Sequence, residues 1–324
     1  MRGIKEEKMQ VQAGINVGGQ AVIEGVMMRA PRSMTVAVRK PSGEIALKKD
    51  LLTPLADRYK VFKWPVLRGT VMLFSSLALG MKALNFSANC AMEEVAGEGQ
   101  AGGQGKKADE KPMSDLAVGL TMALSIGLGL LLFFYLPLYL TQLMKDVMPV
   151  TQSSSLAFNL VDGVIRIVVF LAYILGISRM KDIRRVFEYH GAEHKVIYAY
   201  EAGGELSVER ARPFSTLHPR CGTSFLLIVM VLSILVFSFI PKAAPFYQKA
   251  LSRLILIPVV AGLSYEFIKY SARKMDNPLI RAAVRPGLWL QRLTTREPSD
   301  AQLEVAIRAL DAALAMEKEG IEVA

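Results

Sequence analysis

The chain has 324 residues, 52% of them hydrophobic and 21% charged, with a mean hydropathy of +0.31. A soluble domain of this length normally carries more charge, so an entirely soluble enzyme is excluded in favour of a membrane protein with sizeable water-exposed parts. Lysines and arginines exceed acids by 39 − 29 = +10, an excess that suits nucleic acid, an anionic membrane surface or topology-setting loops.

Residues 1–65 read as a small β-containing module. Met1 to Gln20 is polar and lacks the apolar stretch of a cleavable signal. Thr35 to Arg39 and Glu44 to Lys48 alternate around Pro41-Ser42-Gly43, which reads as a hairpin turn. The glycine-rich run from Gly18 to Arg29 is neither a dinucleotide fingerprint nor a Walker loop. It reads as tight turns, with Glu24 and Arg29 available to a nearby site. In residues 66–95, Leu67, Val71, Phe74, Ala78 and Met81 recur at helical spacing, but Gly69 to Met81 offers only 13 uncharged residues. That is too short to cross a bilayer and predicts an amphipathic helix lying on it. Residues 96–114, rich in glycine and mixed charge, read as a flexible linker.

Residues 115–271 form the expected membrane domain. Leu116 to Leu140 holds 25 uncharged residues and Gly222 to Ile240 holds 19, each enough for a core of about 30 Å at roughly 1.5 Å per residue. Leu156 to Ser178 carries Asp162 and Arg166, and Leu251 to Ser271 carries Arg253, Glu266 and Lys269. These polar faces should turn into the bundle. Asp162 can pair with Arg166, four residues on, or with Arg253, and a structural ion pair is a better reading than a transport relay. The loops beyond the first and third spans hold few cations, whereas loop 179–221 holds eight lysines and arginines, from Arg179 to Arg220. The positive-inside rule therefore places both termini and this loop in the cytoplasm. That placement accounts for the charge excess, so no nucleic-acid partner is expected. Cys90 and Cys221 are too few for a disulfide framework. In residues 272–324, Pro278 to Leu293 reads as an interfacial basic helix anchored by Trp289. A final amphipathic helix begins near Ser299, with Leu303, Ile307 and Leu310 on one face. The fold class expected is mainly α: a four-helix polytopic membrane bundle, an N-terminal β-containing cytoplasmic module and a C-terminal cytoplasmic helix.

All three histidines fall between residues 190 and 218. His190 and His194 lie on one face of a helix that should run to Glu201 and stop at Gly203-Gly204. Two imidazoles at that spacing can clamp one metal ion. Glu193 completes an H-x-x-E-H order, which makes it the candidate catalytic base. Glu201 continues the stripe. His218 and Cys221 have zinc-ligand chemistry and meet the membrane on the same side, and Glu266 lies roughly 8 Å in from that side. His190, His194, His218, Cys221 and Glu266 are therefore the candidate ligands of a divalent metal, with zinc the expected ion. A second reading makes Cys221, at a helix start beside Arg220, a thiolate nucleophile with His218 as its base. A small residue at a helix cap is the simpler alternative.

Three runs, GGQAVIEGVMMRAP, FEYHGAEHKVIYAYE and HPRCGTSFL, occur in that order. They resemble the YqhQ family of bacterial multi-pass membrane proteins, a domain-of-unknown-function family, and the likeness continues through LQRLTTREPSDAQLEVAI. The resemblance implies residence in the bacterial inner membrane. It also implies a metal-dependent enzyme, a description that rests on the same histidines. Two functions are thus expected. One is a metal-dependent hydrolase acting at the cytoplasmic membrane interface on a lipid headgroup or a membrane-protein segment. The other is a non-enzymatic scaffold for membrane-protein partners such as export or quality-control machinery. A transporter finds no support in repeats or broken helices.

Overall fold

The computed structural model describes residues 15–53, 59–98, 115–144, 147–149, 151, 154–241, 243–274 and 277–322. Most of the stretch read as a linker, 99–114, lies outside the described residues. The fold is mainly helical with one four-stranded sheet, the class expected.

The sheet is an antiparallel meander, β1 (Gly18–Val22), β2 (Gly25–Arg29), β3 (Ser33–Arg39) and β4 (Ile45–Leu51), in that order. The expected turn at residues 41–43 joins β3 to β4, with Gly43 at φ +90°. The glycine-rich run is itself a hairpin, with Val22 opposite Gly25 and Glu24 in the left-handed region at φ 51°. Strand alternation sends Val22, Met27, Met34, Val36 and Val38 to one side, where they pack with Ala83 and Cys90. Val26, Met28 and Ala37 point to the other side, into a core shared with Tyr189, Ala192 and Val196 and with Leu303, Ala306 and Leu310. β3 is therefore buried on both faces from Ser33 to Val38, its two hydroxyl side chains included.

The helices in chain order are α1 (Leu67–Glu98), α2 (Asp115–Leu130), α3 (Leu136–Leu143) and α4 (Ser155–Ile177). A π-helical turn, Leu131–Tyr135, joins α2 to α3. Then come α5 (Lys181–Glu201), α6 (Val208–Ala211), α7 (Gly222–Phe237), α8 (Phe246–Arg273), α9 (Pro278–Thr294) and α10 (Asp300–Glu322). Ser154 caps α4 by accepting the Ala157 N–H at 3.0 Å. The glycines expected to stop α5 do so, Gly203 at φ 75°.

Four stretches among the described residues are long and apolar enough to cross a membrane: Leu67–Ala91, Gly119–Leu143, Ser155–Ile177 and Phe246–Ser271. The number matches expectation, but the membership does not. The segment read as a short interfacial helix belongs to a 32-residue helix, and α7 has only 16 residues. Packing distinguishes α1 from the other three. Arg29 Nη1 lies 3.8 Å from Met72 Sδ, Gly80 abuts the Gln20 side chain, and Ala83 and Cys90 complete the β core. Met72 to Cys90 is about 27 Å of helix, so α1 runs along the sheet and leaves Phe74 and Leu77 exposed on its other face. Its first turn docks on α8, where Gly69 meets Gly262, Thr70 Oγ1 donates to the Pro258 carbonyl at 2.8 Å and Arg68 pairs with Glu266.

Inside the bundle, Asp162 takes both of its expected partners, Arg166 at 2.9 Å and Arg253 at 2.7 Å. The two C-terminal helices form where the sequence placed them. α9 buries Val284, Leu290 and Gln291 and exposes Trp289, and α10 buries Leu303, Ile307 and Leu310. Ser33 Oγ donates to the Ala313 carbonyl at 2.9 Å and Thr35 Oγ1 to that of Ala309 at 2.5 Å, which fastens α10 to β3.

Candidate metal centre

The site begins with α5, which is buried almost without interruption from Tyr189 to Val196 because sheet, α10 and the α6–α7 connection enclose it. Its i,i+4 histidines project together, ring centroids 4.5 Å apart. Each is oriented by a backbone carbonyl. His190 Nδ1 donates to the Thr294 carbonyl at 2.8 Å, and His194 Nδ1 to that of Thr216 at 2.5 Å. A carbonyl can only accept, so each Nδ1 carries a proton, and in a neutral ring Nε2 then presents a lone pair. This is the arrangement typical of metal-ligating histidines.

Cys221 supplies the third group. It caps α7, and its Sγ accepts the Thr223 N–H at 3.4 Å. Sγ lies 3.2 Å from His190 Nε2, and the ligand atoms of His190, His194 and Cys221 all fall within 4.8 Å of one another. Tetrahedral zinc bonds place neighbouring N and S donors about 3.3–3.6 Å apart, so the cluster fits a first-row divalent ion with small rotations. His194 Nε2 is buried and has no hydrogen-bond partner. A buried lone pair without a partner is costly, and a cation would relieve it.

His218 stands beside this trio. Its ring lies 5.6 Å from that of His194 and 4.5 Å from that of Tyr198. Gln291 clamps its backbone, Oε1 accepting the His218 N–H at 2.7 Å and Nε2 donating to its carbonyl at 2.8 Å. Its Nε2 faces Glu201 at 3.7 Å, and Glu201 in turn pairs with Arg220. Burial pulls the His218 pKa down to about 4, and burial also lowers that of His194, so both rings are neutral near pH 7.

Glu193 is buried one helical step from the ligand face. Burial raises its pKa, opposed by the nearby His190 and His218 rings and by the Gly19 N–H that it accepts. A methyl group at Gly19 would fall 2.8 Å from Glu193 Cγ, so β1 needs glycine there to let the carboxyl pass.

Glu266 is not part of the cluster, a correction to the ligand set expected. Both of its oxygens are engaged by the Arg68 guanidinium. Depth in the membrane fixes how far along α8 a side chain sits, not which way it points, and Glu266 points to the first turn of α1. Glu24 and Arg29 are also elsewhere: Glu24 takes Arg185 at 2.5 Å, and Arg29 lies against Met72. Sequence reasoning missed Thr216, Gln291 and Thr294, which act mainly through the backbone or on it. It also passed over Gly191. A methyl group there would fall 2.0 Å from the Arg296 carbonyl, and a glycine inside an otherwise regular helix is a readable sign of such an approach.

Residues 64–316 match the family described as protein of unknown function (DUF1385). The chain is 35% identical over 307 residues to the uncharacterised protein YqhQ of Bacillus subtilis (strain 168), covering 93% of this chain and 92% of that protein. No solved structure matches.

Proposed function

The chain belongs to the DUF1385 family, and we propose that it is an integral inner-membrane protein that binds a divalent metal, zinc by donor chemistry, at its cytoplasmic face for hydrolysis at the membrane interface. One observation carries the reading: two histidines, each with its Nδ1 proton committed to a carbonyl, and a helix-capping thiol offer ligand atoms within 4.8 Å of one another. A nitrogen and thiolate donor set favours zinc among the common divalent ions. Three protein ligands leave a fourth position free, the pattern of catalytic rather than structural sites. The ion would supply Lewis acidity and make water at the site more acidic. Glu193, with its pKa raised by burial, is the residue to accept a proton. The start of α7 and the amphipathic α9 bring the site to the level where a lipid headgroup or a membrane-protein segment would be presented.

The test is elemental analysis of the detergent-purified protein beside its His190→Ala and Cys221→Ser variants. Roughly one equivalent of metal in the wild type, and loss in both variants, is expected. A wild type that takes up no metal on incubation with zinc would end the reading.

A second reading has its own observation. The cluster joins α5, the start of α7 and the carbonyl at the end of α9, and His218, its ring 5.6 Å from that of His194, would complete a four-ligand site if it swung inward from Glu201. The metal would then be a staple in a membrane scaffold for partner proteins. X-ray absorption separates the two: two nitrogens, one sulfur and one oxygen support the hydrolase, and three nitrogens with one sulfur support the staple. Glu193→Gln should keep the metal in both cases and abolish the cellular phenotype only in the first.

A further inference from the structure

The charged residues within the bundle do not balance. Asp162 is the one buried carboxylate that meets Arg166 and Arg253, and its two oxygens are divided between them. Arg253 gives its remaining terminal nitrogen to Asn159 Oδ1 at 2.9 Å, and Arg166 gives its own to Ser233 Oγ at 3.2 Å. Both guanidinium groups are almost fully buried, and the Nε atom of each has no hydrogen-bond partner. Two arginines on one aspartate leave one net positive charge and two unmet donors among apolar helices, an expensive state in a membrane. The rings of Phe134 and Phe237 flank the Arg166 guanidinium at 5.3 and 5.1 Å, which eases the charge without cancelling it.

A groove opens beside this triad. It has a volume of about 420 Å³ and is lined by Leu130, Leu131, Phe134, Leu251, Leu254 and Arg253, the last being the one charged residue in its wall. One side is the π-helical turn Leu131–Tyr135, a departure from regular helix that often marks a functional position. The mouth carries an aromatic band, with Tyr135 stacked on Tyr139 and edge-on to Phe246, and Tyr247 exposed beside them. Tyrosines of this kind settle at the level of lipid headgroups. Arg253 lies seven residues into α8, about 10 Å below the helix start. The groove thus combines an apolar channel, a buried cationic wall and an entrance at headgroup level, at the end of the bundle away from the sheet.

We propose that this groove binds an anionic membrane lipid, its phosphate answering the uncompensated charge at Arg253, the arginine that lines the groove, and one acyl chain lying along Leu130, Leu131, Leu251 and Leu254. Charge selects the class of lipid, and the apolar wall selects an amphiphile over a free anion. This site lies in the opposite half of the bundle from the His190 cluster and does not depend on a metal there.

The full-length protein in detergent, titrated with phosphatidylglycerol, phosphatidylcholine or inorganic phosphate, tests the proposal by native mass spectrometry and by thermal midpoint. Phosphatidylglycerol should be retained about ten-fold better than phosphatidylcholine, as expected for a lipid charge meeting buried arginines. It should raise the midpoint, and millimolar phosphate should not displace it. Leu254→Trp fills the groove without touching the ion triad and should remove the preference while the protein elutes as before. Arg253→Gln should do the same if it folds, and Leu254→Trp decides the matter if it does not. Equal retention of the two lipids, displacement by inorganic phosphate, or an undiminished preference in Leu254→Trp would overturn the assignment.

Discussion

His190 and His194 could be paired from their spacing alone, because four residues on a helix return to the same face. Their readiness for a metal could not, since the protons that leave Nε2 free are committed to the carbonyls of Thr294 and Thr216, 104 and 22 residues away. The same distinction separates Cys221, a cap whose position the helix start fixes, from Glu266, whose azimuth only the packed bundle decides. Gly191 offers a direct test of how the site is aimed. Gly191→Ala would push the Arg296 carbonyl, and with it Thr294, away from α5. A cost of about 1–3 kcal/mol in stability and a clear fall in metal content are expected, read by thermal melting and elemental analysis. Gly18→Ala, where nothing lies within 4 Å, is the control. His218 sets a pH dependence. Its folded pKa of about 4 lies below the ordinary 6.5, so on acidification the unfolded chain takes up the proton first. The stability conferred by the neutral ring is complete above about pH 6.5 and is lost as pH falls toward 4. In chelator-treated protein the melting midpoint should decline across that window. His218→Gln should flatten the decline, and an unchanged slope in that variant would assign the effect to other groups.

At the scale of elements, helices whose apolar face repeats every three or four residues were legible, as α5 and α10 are, because burial follows that period. The β3–β4 hairpin was legible through Gly43. The β1–β2 hairpin was not, because its turn is Ile23-Glu24, with a glutamate in a conformation usually left to glycine. That turn is held from outside by Arg185, a partner no local signal reveals. α1 was read as too short because Lys82 interrupts its uncharged run. An uncharged length measures fit to a bilayer, however, and not the length of a helix that also has a sheet to lie on. The docking of α1 on α8 depends on the absence of a side chain at Gly262, where a methyl group would fall 2.4 Å from the Val66 carbonyl. Gly262→Leu should therefore release the first turn of α1. Faster amide exchange from Leu67 to Val71 is expected, with metal content unchanged because the His190 cluster makes no contact there. Unaltered exchange would show that the sheet alone holds the helix.

For the whole molecule, one shared core constrains the path through the membrane. The sheet, α5 and α10 bury the same apolar residues, so they lie on one side, and the chain must cross an even number of times between any two of them. Between β4 and α5 there are three stretches long enough to cross. One must stay on the starting side, and α1, which lies along the sheet, is that one. Between α5 and α10 there are only α7 and α8, so the two cross together. The 16 residues of α7 then reach about 24 Å, short of a core of about 30 Å, which draws its Cys221 end and the His190–His194–Cys221 cluster toward the membrane plane. Impermeant maleimide labelling of introduced cysteines in a Cys90→Ser background, with the signal of the retained Cys221 as the reference, tests this path. Ser154→Cys and Tyr247→Cys should react on intact spheroplasts, and Ser207→Cys only after permeabilisation. Phe74→Cys, on the lipid-facing side of α1, should stay unreactive until detergent is added. Labelling of Ser207→Cys from outside would invert the protein, and protection of Ser154→Cys would show that α4 does not cross, leaving α1 and α2–α3 to cross together or not at all. External labelling of Ser207→Cys is the result incompatible with a cytoplasmic cluster, because Ser207 lies on the connection between α5 and α7 that carries it.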